Sequence, residues 1–399
     1  MIRKNLWSPV LFVFTAFFAC IGAEKAENSP VPKQEECCLF LSDSGPVVSQ
    51  RTDMQNRLTL WHDHVAKMLK SEEEMKKEDL PPDAQYWMRL MLTDGLDFAV
   101  PKPVVCLWDN RGEKKKNCLV EVSEDKDFQE GVMRFAPENG KNFLEVHSLK
   151  IGKKYFLRLL WEEEGAGKYS QMITFTTATE LPRWIRVDGV SNVRDFGGWK
   201  TADGKRVRQG LFFRGPELNG KIAASAKGLS MLLENLKIRT DIDLRGAKSE
   251  KRPANGTPAF PVEKAQFHHF PLGAYGGIFS AKQRELCKGI FRILLDERNL
   301  PAYIHCVGGA DRTGTIIFLL QGVLKVPEEE MLRDYELTSM FAAYRGIRYR
   351  GRKAFLAFRK ALREKTGEED LHKQCEKYFL DSGVTANEIA AFRKLFLEE

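Results

Sequence analysis

The chain has 399 residues, 43% of them hydrophobic and 29% charged, with a formal net charge of +7. That length favours two domains, each able to bury its own core, and the composition excludes collagenous and low-complexity classes. Charge is divided unevenly: residues 24–180 carry 22 basic and 28 acidic side chains, whereas residues 181–399 carry 38 and 27. A basic C-terminal half beside an acidic N-terminal one points to an anionic ligand for the former. Nucleic acid is set aside, because no groove-reading helix with clustered basic residues and no aromatic RNA platform is found.

Residues 1–23 read as a secretory signal peptide. Arg3 and Lys4 form a positive n-region, Leu6 to Gly22 is nearly all apolar, and Ala23, with Ile21 two residues before it, offers a cleavage site. An exported location follows: periplasmic, cell-surface or secreted. The alternatives are an uncleaved anchor, for which the run is short and carries Pro9, and lipidation at Cys20, for which Phe17-Phe18-Ala19 fits a lipobox poorly. Membrane association is expected only in those two cases.

Residues 24–50 are polar and Pro-bearing, a loose leader, and 53–78 show the apolar spacing of an amphipathic helix (Leu58, Leu60, Val65, Met68, Leu69). Residues 24–82 are thus a leader and helical segment. His62-Asp63-His64 is not a metal pair, since i and i+2 face different ways on a helix. No Cys/His spacing reads as a zinc site, and no cofactor is expected.

Between 83 and 180 the pattern turns to short β-rich runs at 85–92, 103–108, 118–122, 142–147, 154–161 and 170–176, separated by turn residues as in a β-sandwich. Cys106 and Cys118 flank a basic, Gly-containing loop; exported, they could bridge neighbouring strands, although sequence does not give connectivity. Three stretches, Val122 to Phe128, Leu149-Lys150-Ile151-Gly152-Lys153-Lys154-Tyr155 and Phe175-Thr176-Thr177, resemble a fibronectin type III-like domain. The resemblance implies an all-β immunoglobulin/fibronectin-like sandwich serving as spacer or binding module.

Pro182 marks a boundary. From 181 to 399 the pattern becomes α/β, with strands predicted at 211–214, 237–243, 266–271 and 301–305. Helices are predicted at 222–235, 281–298, 313–324, 328–340, 352–364, 369–379 and 385–397.

The segment His305-Cys306-Val307-Gly308-Gly309-Ala310-Asp311-Arg312-Thr313-Gly314 lies between a short apolar strand and the apolar run Thr315 to Leu320. A loop entering a helix N-terminus presents successive N–H groups to an anion, the helix dipole adds positive field, and the same field favours a thiolate. Gly308, Gly309 and Gly314 permit close backbone approach. Arg312, six residues after Cys306, brings a fork for two oxygens. Thr313 is placed to hydrogen-bond the thiolate, and His305 to brace the loop. Val307, Gly308, Gly309, Ala310, Thr313 and Gly314 are the expected binding residues, with Cys306, Asp311 and Arg312 the expected catalytic ones. A Walker A loop is excluded, because no Gly-Lys-Ser/Thr follows.

The segment matches the HCxxGxDRTG signature of cysteine-dependent tyrosine phosphatases. Asn192-Val193-Arg194-Asp195-Phe196-Gly197-Gly198, then Leu211-Phe212-Phe213-Arg214-Gly215 with Glu217-Leu218, then Asp243-Leu244-Arg245 with Glu250, and Asp334-Tyr335, are similar to the atypical bacterial tyrosine phosphatase family. The resemblance implies a three-layer α/β fold with a central sheet. It also implies hydrolysis of phosphotyrosine, sometimes phosphoserine or phosphothreonine, and phosphoinositides in some relatives. The partner is then a phosphorylated protein or another phosphomonoester.

The resemblance assigns the proton-donating acid to Asp311, with Asp243 in reserve; Phe270-Pro271-Leu272-Gly273 carries no acid. Ala310 stands where the family usually has a lysine associated with phosphoinositide handling. Arg345, Arg348, Arg350, Arg352 and Lys353 are either a substitute basic source or an ordinary solvated face. Arg214 and Arg245 either line the pocket or form salt bridges with Asp195 or Glu217. Cys287 and Cys375 are either resolving thiols for Cys306 or simply buried. A catalytically silent phosphate-binding or adhesion scaffold is the rival from another class, against which the intact Cys306, Asp311 and Arg312 argue.

Overall fold

The computed structural model describes residues 39–42, 103–108, 116–138, 141–163, 165–179, 181–338 and 349–399. The signal segment, the helix predicted at 53–78 with His62 and His64, the strand predicted at 85–92, and Cys20 lie outside the described residues, as do Arg345 and Arg348.

The N-terminal described part is built from antiparallel strands in two sheets. One has the order β1 (Leu39–Ser42), β2 (Val104–Trp108), β5 (Phe143–Val146). The other runs β4 (Met133–Phe135), β3 (Lys116–Ser123), β6 (Lys154–Glu163), β7 (Ala166–Tyr169), with β8 (Ile173–Thr176) paired to the first half of β6. Alternation explains the core: Tyr155, Leu157, Leu159 and Trp161 of β6 point inward, with Val120 and Val122 of β3, against Cys106 and Trp108 of β2 and Val146 of β5.

Two expectations change here. Leu39–Ser42, inside the segment expected as a loose leader, is a strand that pairs antiparallel with β2; an apolar run beside an open sheet edge finds its hydrogen bonds there. Cys106 is a free, buried thiol, so no bridge to Cys118 exists. The physical reason is topological: β2 pairs with β1 and β5, and β3 with β4 and β6, so the two cysteines sit in different sheets.

The C-terminal part is a five-stranded sheet of order β12 (Gln266–His269), β11 (Thr240–Asp243), β13 (Ala302–His305), β10 (Phe212–Gly215), β9 (Arg194–Asp195). The first four are parallel, and β9 closes the edge antiparallel. Strands buried on both sides feed two cores. Phe213 and Tyr303 pack with Leu232 of α1 (Ala226–Glu234) on one face. Phe212, Ala302 and Ile304 pack on the other face, with α2 (Ala281–Leu295), α3 (Asp311–Val323), α4 (Glu328–Leu337), α5 (Tyr349–Thr366), α6 (Leu371–Asp381) and α7 (Ala386–Phe396). This is the expected three-layer arrangement. Helix α3 lies at its centre, with every residue from Thr313 to Val323 buried, which is why its sequence is apolar all round rather than on one stripe.

The two parts are joined by polar contacts. Gln209 brackets Ile151, accepting from its amide at 2.9 Å and donating to its carbonyl at 3.0 Å. The guanidinium of Arg183 donates to the carbonyls of Ser148 and Leu149, and to Asp195 at 2.6 Å.

Candidate active site

Strand β13 ends at His305 and α3 begins at Asp311, so Cys306 to Ala310 form the turn between the central strand and the central helix. Three loop carbonyls are turned outward and held by the scaffold. The Glu217 amide donates to Val307 at 3.1 Å, the Asn192 side chain to Gly308 at 2.9 Å, and the Arg214 guanidinium to Gly309 at 2.7 Å. The amides of Val307, Gly308, Gly309 and Ala310 make no hydrogen bond among the described residues. A loop whose acceptors face out and whose donors are unspent is a nest for an anion.

Gly309 makes this path possible. Its φ is +66°, and a Cβ there would lie 2.4 Å from the carbonyl of Gly215, so only glycine fits.

Cys306 lies at the floor, 4% exposed. Burial pushes its thiol up, but the Thr313 hydroxyl and amide, with the Arg312 charge, outweigh this and leave the pKa below the usual thiol range. The Thr313 hydroxyl is fully buried and has no other hydrogen-bond partner among the described residues. Arg312, on the first turn of α3, is partly exposed and makes no hydrogen bond or ion pair among the described residues. Its fork is available for two oxygens of a bound oxyanion. Gly314, the last expected binding residue, lies under the ring of Tyr335, where a Cβ would meet it at 3.0 Å.

His305 braces from below. Its Nε2 donates to Asp241 at 2.9 Å and its Nδ1 lies 3.3 Å from the Cys306 carbonyl. Burial lowers its pKa, Asp241 and Asp243 raise it, and the net shift is upward. A protonated ring donates from both nitrogens.

Asp243 and Arg245 are brought near the loop but are spent on each other. The Asp243 carboxylate accepts from the amide, Nε and Nη2 of Arg245 and from the Gly256 amide, at 2.8 to 2.9 Å, and Arg245 also reaches Glu217 at 3.0 Å. Burial raises the Asp243 pKa, yet Arg245 and His305 hold it below the carboxylate norm. A saturated, anionic carboxylate is a brace and not a proton donor, which removes the reserve assignment.

Arg214 chooses neither expected partner. It pairs with Asp334 at 2.7 Å, and Asp334 also takes Arg194 at 2.6 Å. Burial pushes Asp334 up, and the two guanidinium groups more than reverse it. Asp195 instead holds Arg183 and the amides of Gly197 and Gly210. Arg350, Arg352 and Lys353 fall in the opening turns of α5.

Cys287 and Cys375 are both fully buried. Burial pushes Cys287 up to about 12 and Cys375 higher still, and a Cβ on Gly322 would meet the Cys375 sulfur at 2.3 Å. Neither is a resolving thiol.

Asp311 is partly exposed, and its carboxylate accepts a hydrogen bond from the Tyr275 hydroxyl, which lies 2.6 Å from that of Tyr335. Tyr275, Tyr335 and Asp241 were not among the expected site residues. Only Asp334-Tyr335 carried a signal in the sequence, as a family landmark without a role. Among the described residues no group of three or more His, Cys, Asp or Glu could hold a metal ion, and no helix is long and apolar enough to cross a membrane.

An α/β domain with a thiol of lowered pKa in a donor-lined loop at the head of its central helix defines the cysteine-phosphatase class. The chain belongs to the tyrosine phosphatase family, whose model matches residues 185–398. Over 174 residues it is 33% identical to a Cupriavidus necator protein named "Putative tyrosine-protein phosphatase H16_A0669". That match covers 38% of this chain and 61% of the relative, so the chain spans about three-fifths of the curated relative's length. It also aligns, at 16% identity, with the core catalytic domain of the PP-IP phosphatase SIW14 from S. cerevisiae in complex with citrate. That alignment covers 39% of this chain and 88% of the other, with a TM-score of 0.25.

Proposed function

We propose that the protein is a cysteine-dependent phosphomonoester hydrolase whose substrate is phosphotyrosine in a protein. The observation that carries this is the juxtaposition of a Cys306 thiol of lowered pKa with an Arg312 fork and loop amides that make no hydrogen bond or ion pair among the described residues. The thiolate attacks phosphorus. The S–P bond forms as the P–O bond breaks, and the leaving oxygen takes the proton of Asp311. The loop amides and the Arg312 fork hold the equatorial oxygens, most tightly when charge is spread in the transition state. Water then attacks the cysteinyl-phosphate, Asp311 takes its proton, and the S–P electrons return to Cys306, whose thiolate is eased out by Thr313.

The neutral Ala310, in place of a lysine, favours a protein phosphomonoester over an inositol lipid. The apolar N-terminal segment supports export, and residues 83–180 serve as a fibronectin III-like spacer or binding module.

The test is phosphate release by the full-length protein and by Cys306→Ser, on phosphotyrosine, phosphoserine and phosphothreonine peptides, phosphoinositides and sugar phosphates. Release from phosphotyrosine peptides that disappears in the variant is the expected result. Preference for inositol lipids would move the assignment to a lipid phosphatase, and no release from any substrate under reducing conditions would leave the silent scaffold standing. Export is checked by fractionating cells that express the full chain, the mature protein being expected outside the cytoplasm.

A further inference from the structure

Tyr275 sits in a 3-10 turn, Tyr275–Phe279, between β12 and α2. Its φ is +53°, a left-handed backbone that a bulky L-residue rarely adopts. Two anchors to α3 hold it there. Its amide donates to the Thr315 hydroxyl at 3.0 Å, and its own hydroxyl donates to Oδ1 of Asp311. Thr315 completes the ring by donating to the Asp311 carbonyl at 2.7 Å. Main chain and side chain of Tyr275 therefore grip the opening residues of α3, the side chain at the residue expected to move the proton.

Behind it stands a second hydroxyl. Tyr335 lies 2.6 Å from Tyr275, oxygen to oxygen, and its ring stacks on Phe355 at 4.0 Å. Phe355 also meets Tyr275 edge to face at 6.5 Å. Since the Tyr275 proton goes to the carboxylate, the bond between the phenols is donated by Tyr335. The array is thus ordered: Tyr335 to Tyr275 to Asp311.

We infer that Tyr275 is a positioning residue for proton transfer, with Tyr335 orienting it in turn. This rests on the phosphatase reading and on Asp311 as its acid. An acid inside the phosphate loop has no mobile loop to deliver it, so its rotamer must be fixed in place. The strained Tyr275 backbone is consistent with a local cost kept for that purpose. The Tyr275 hydroxyl held at Oδ1 fixes the orientation of the carboxyl group. In the first step the carboxyl proton passes to the leaving oxygen as the P–O bond breaks. In the second, the carboxylate takes a proton from the attacking water as the S–P bond breaks. Tyr275 keeps its own proton throughout.

The experiment compares full-length wild type, Tyr275→Phe, Tyr335→Phe, Asp311→Asn and the double variant Tyr275→Phe/Asp311→Asn on aryl phosphates of graded leaving-group pKa. Tyr275→Phe is expected to lose at least 10-fold more kcat/KM on phenyl phosphate than on 2,4-dinitrophenyl phosphate, giving a steeper leaving-group slope. Tyr335→Phe should steepen it less. Adding Tyr275→Phe to Asp311→Asn should cost under 2-fold, because the group it positions is already gone. An unchanged slope in Tyr275→Phe, or losses that multiply in the double variant, overturns the assignment and makes the tyrosine merely structural. Absence of wild-type turnover on every aryl phosphate overturns the phosphatase reading and this inference together, whereas turnover with an unchanged slope overturns this inference alone.

Discussion

The side-chain amide of Asn192 donates to the carbonyl of Gly308 at 2.9 Å, while its oxygen accepts from Arg194 at 2.5 Å. One side chain thus ties the edge of the sheet to the loop above Cys306. Asn192 itself has a φ of +64°, a conformation asparagine tolerates better than most residues. Asn192→Ala removes the only held donor to Gly308 among the described residues and leaves a buried carbonyl unpaired, at about 1–3 kcal/mol. Chemical denaturation should show that loss. Activity should fall at least 10-fold, since the loop carbonyl is then free to turn inward against an anion.

Asp334 sits between Arg194 and Arg214, all three buried. Asp334→Asn keeps the volume and leaves two buried guanidinium groups facing no charge, a change worth about 3–5 kcal/mol. The acid limb of stability carries the same signature. Asp334 and Asp243 both have folded pKa values below the ordinary 3.8. A depressed carboxylate contributes stability that is present above its unfolded pKa and lost as pH falls through its folded one. Unfolding free energy should therefore hold from neutral pH to about 4 and decline below. Asp334→Asn should start lower and decline less steeply, as urea titrations at stepped pH would show.

The loop was legible because its signal is contiguous: strand, glycines, arginine and helix run in one stretch from Ala302 to Val323, and the structure keeps that order. The same locality explains why the helices and strands after Pro182 fall close to their predicted spans. What pairs across the chain was not legible. Arg214 and Arg245 each had two plausible acidic partners in sequence. The register of β10 against β13, with Arg214 opposite Ile304, places Arg214 within reach of Asp334 on α4. Cys106 and Cys118 illustrate the converse error, since twelve residues of separation suggest a hairpin, yet the two strands that carry them belong to different sheets. Tyr275 offered no pattern at all, because its role depends on a turn that folds back onto α3 from 36 residues away.

The thiol of Cys306 should react as a thiolate at lower pH than its ordinary value of 9.0. Iodoacetamide labelling followed by peptide mass mapping should give a half-maximal rate below that pH. The buried Cys287, pushed up to about 12, should stay unlabelled in the native protein. Thr313→Ala removes one of the groups that lower the Cys306 value, so the labelling midpoint should move up. The variant should also slow hydrolysis of the cysteinyl-phosphate, visible as a larger burst of leaving group before steady state. A midpoint unchanged by Thr313→Ala would mean that the amide and Arg312 alone hold the thiolate.

Asp311→Asn separates the acid from the cradle. Asparagine keeps the shape at the head of α3 and can still meet the Tyr275 hydroxyl, so the loop geometry should change little, while the Cys306 labelling midpoint should move down because the Asp311 charge that raises it is gone. Proton transfer to the leaving oxygen is lost. General acid catalysis contributes on the order of 10²–10⁴-fold, and only where the leaving group needs a proton. Turnover of phenyl phosphate and phosphotyrosine peptide should therefore fall by about 100-fold or more, while 2,4-dinitrophenyl phosphate, whose phenolate leaves unaided, should fall by less than about 10-fold. Equal losses on both would place the acid elsewhere. Asp243 would not inherit the role, because its four donors hold it as a buried anion beneath the loop. The acid would then have to be sought among groups outside the loop that approach only with substrate bound.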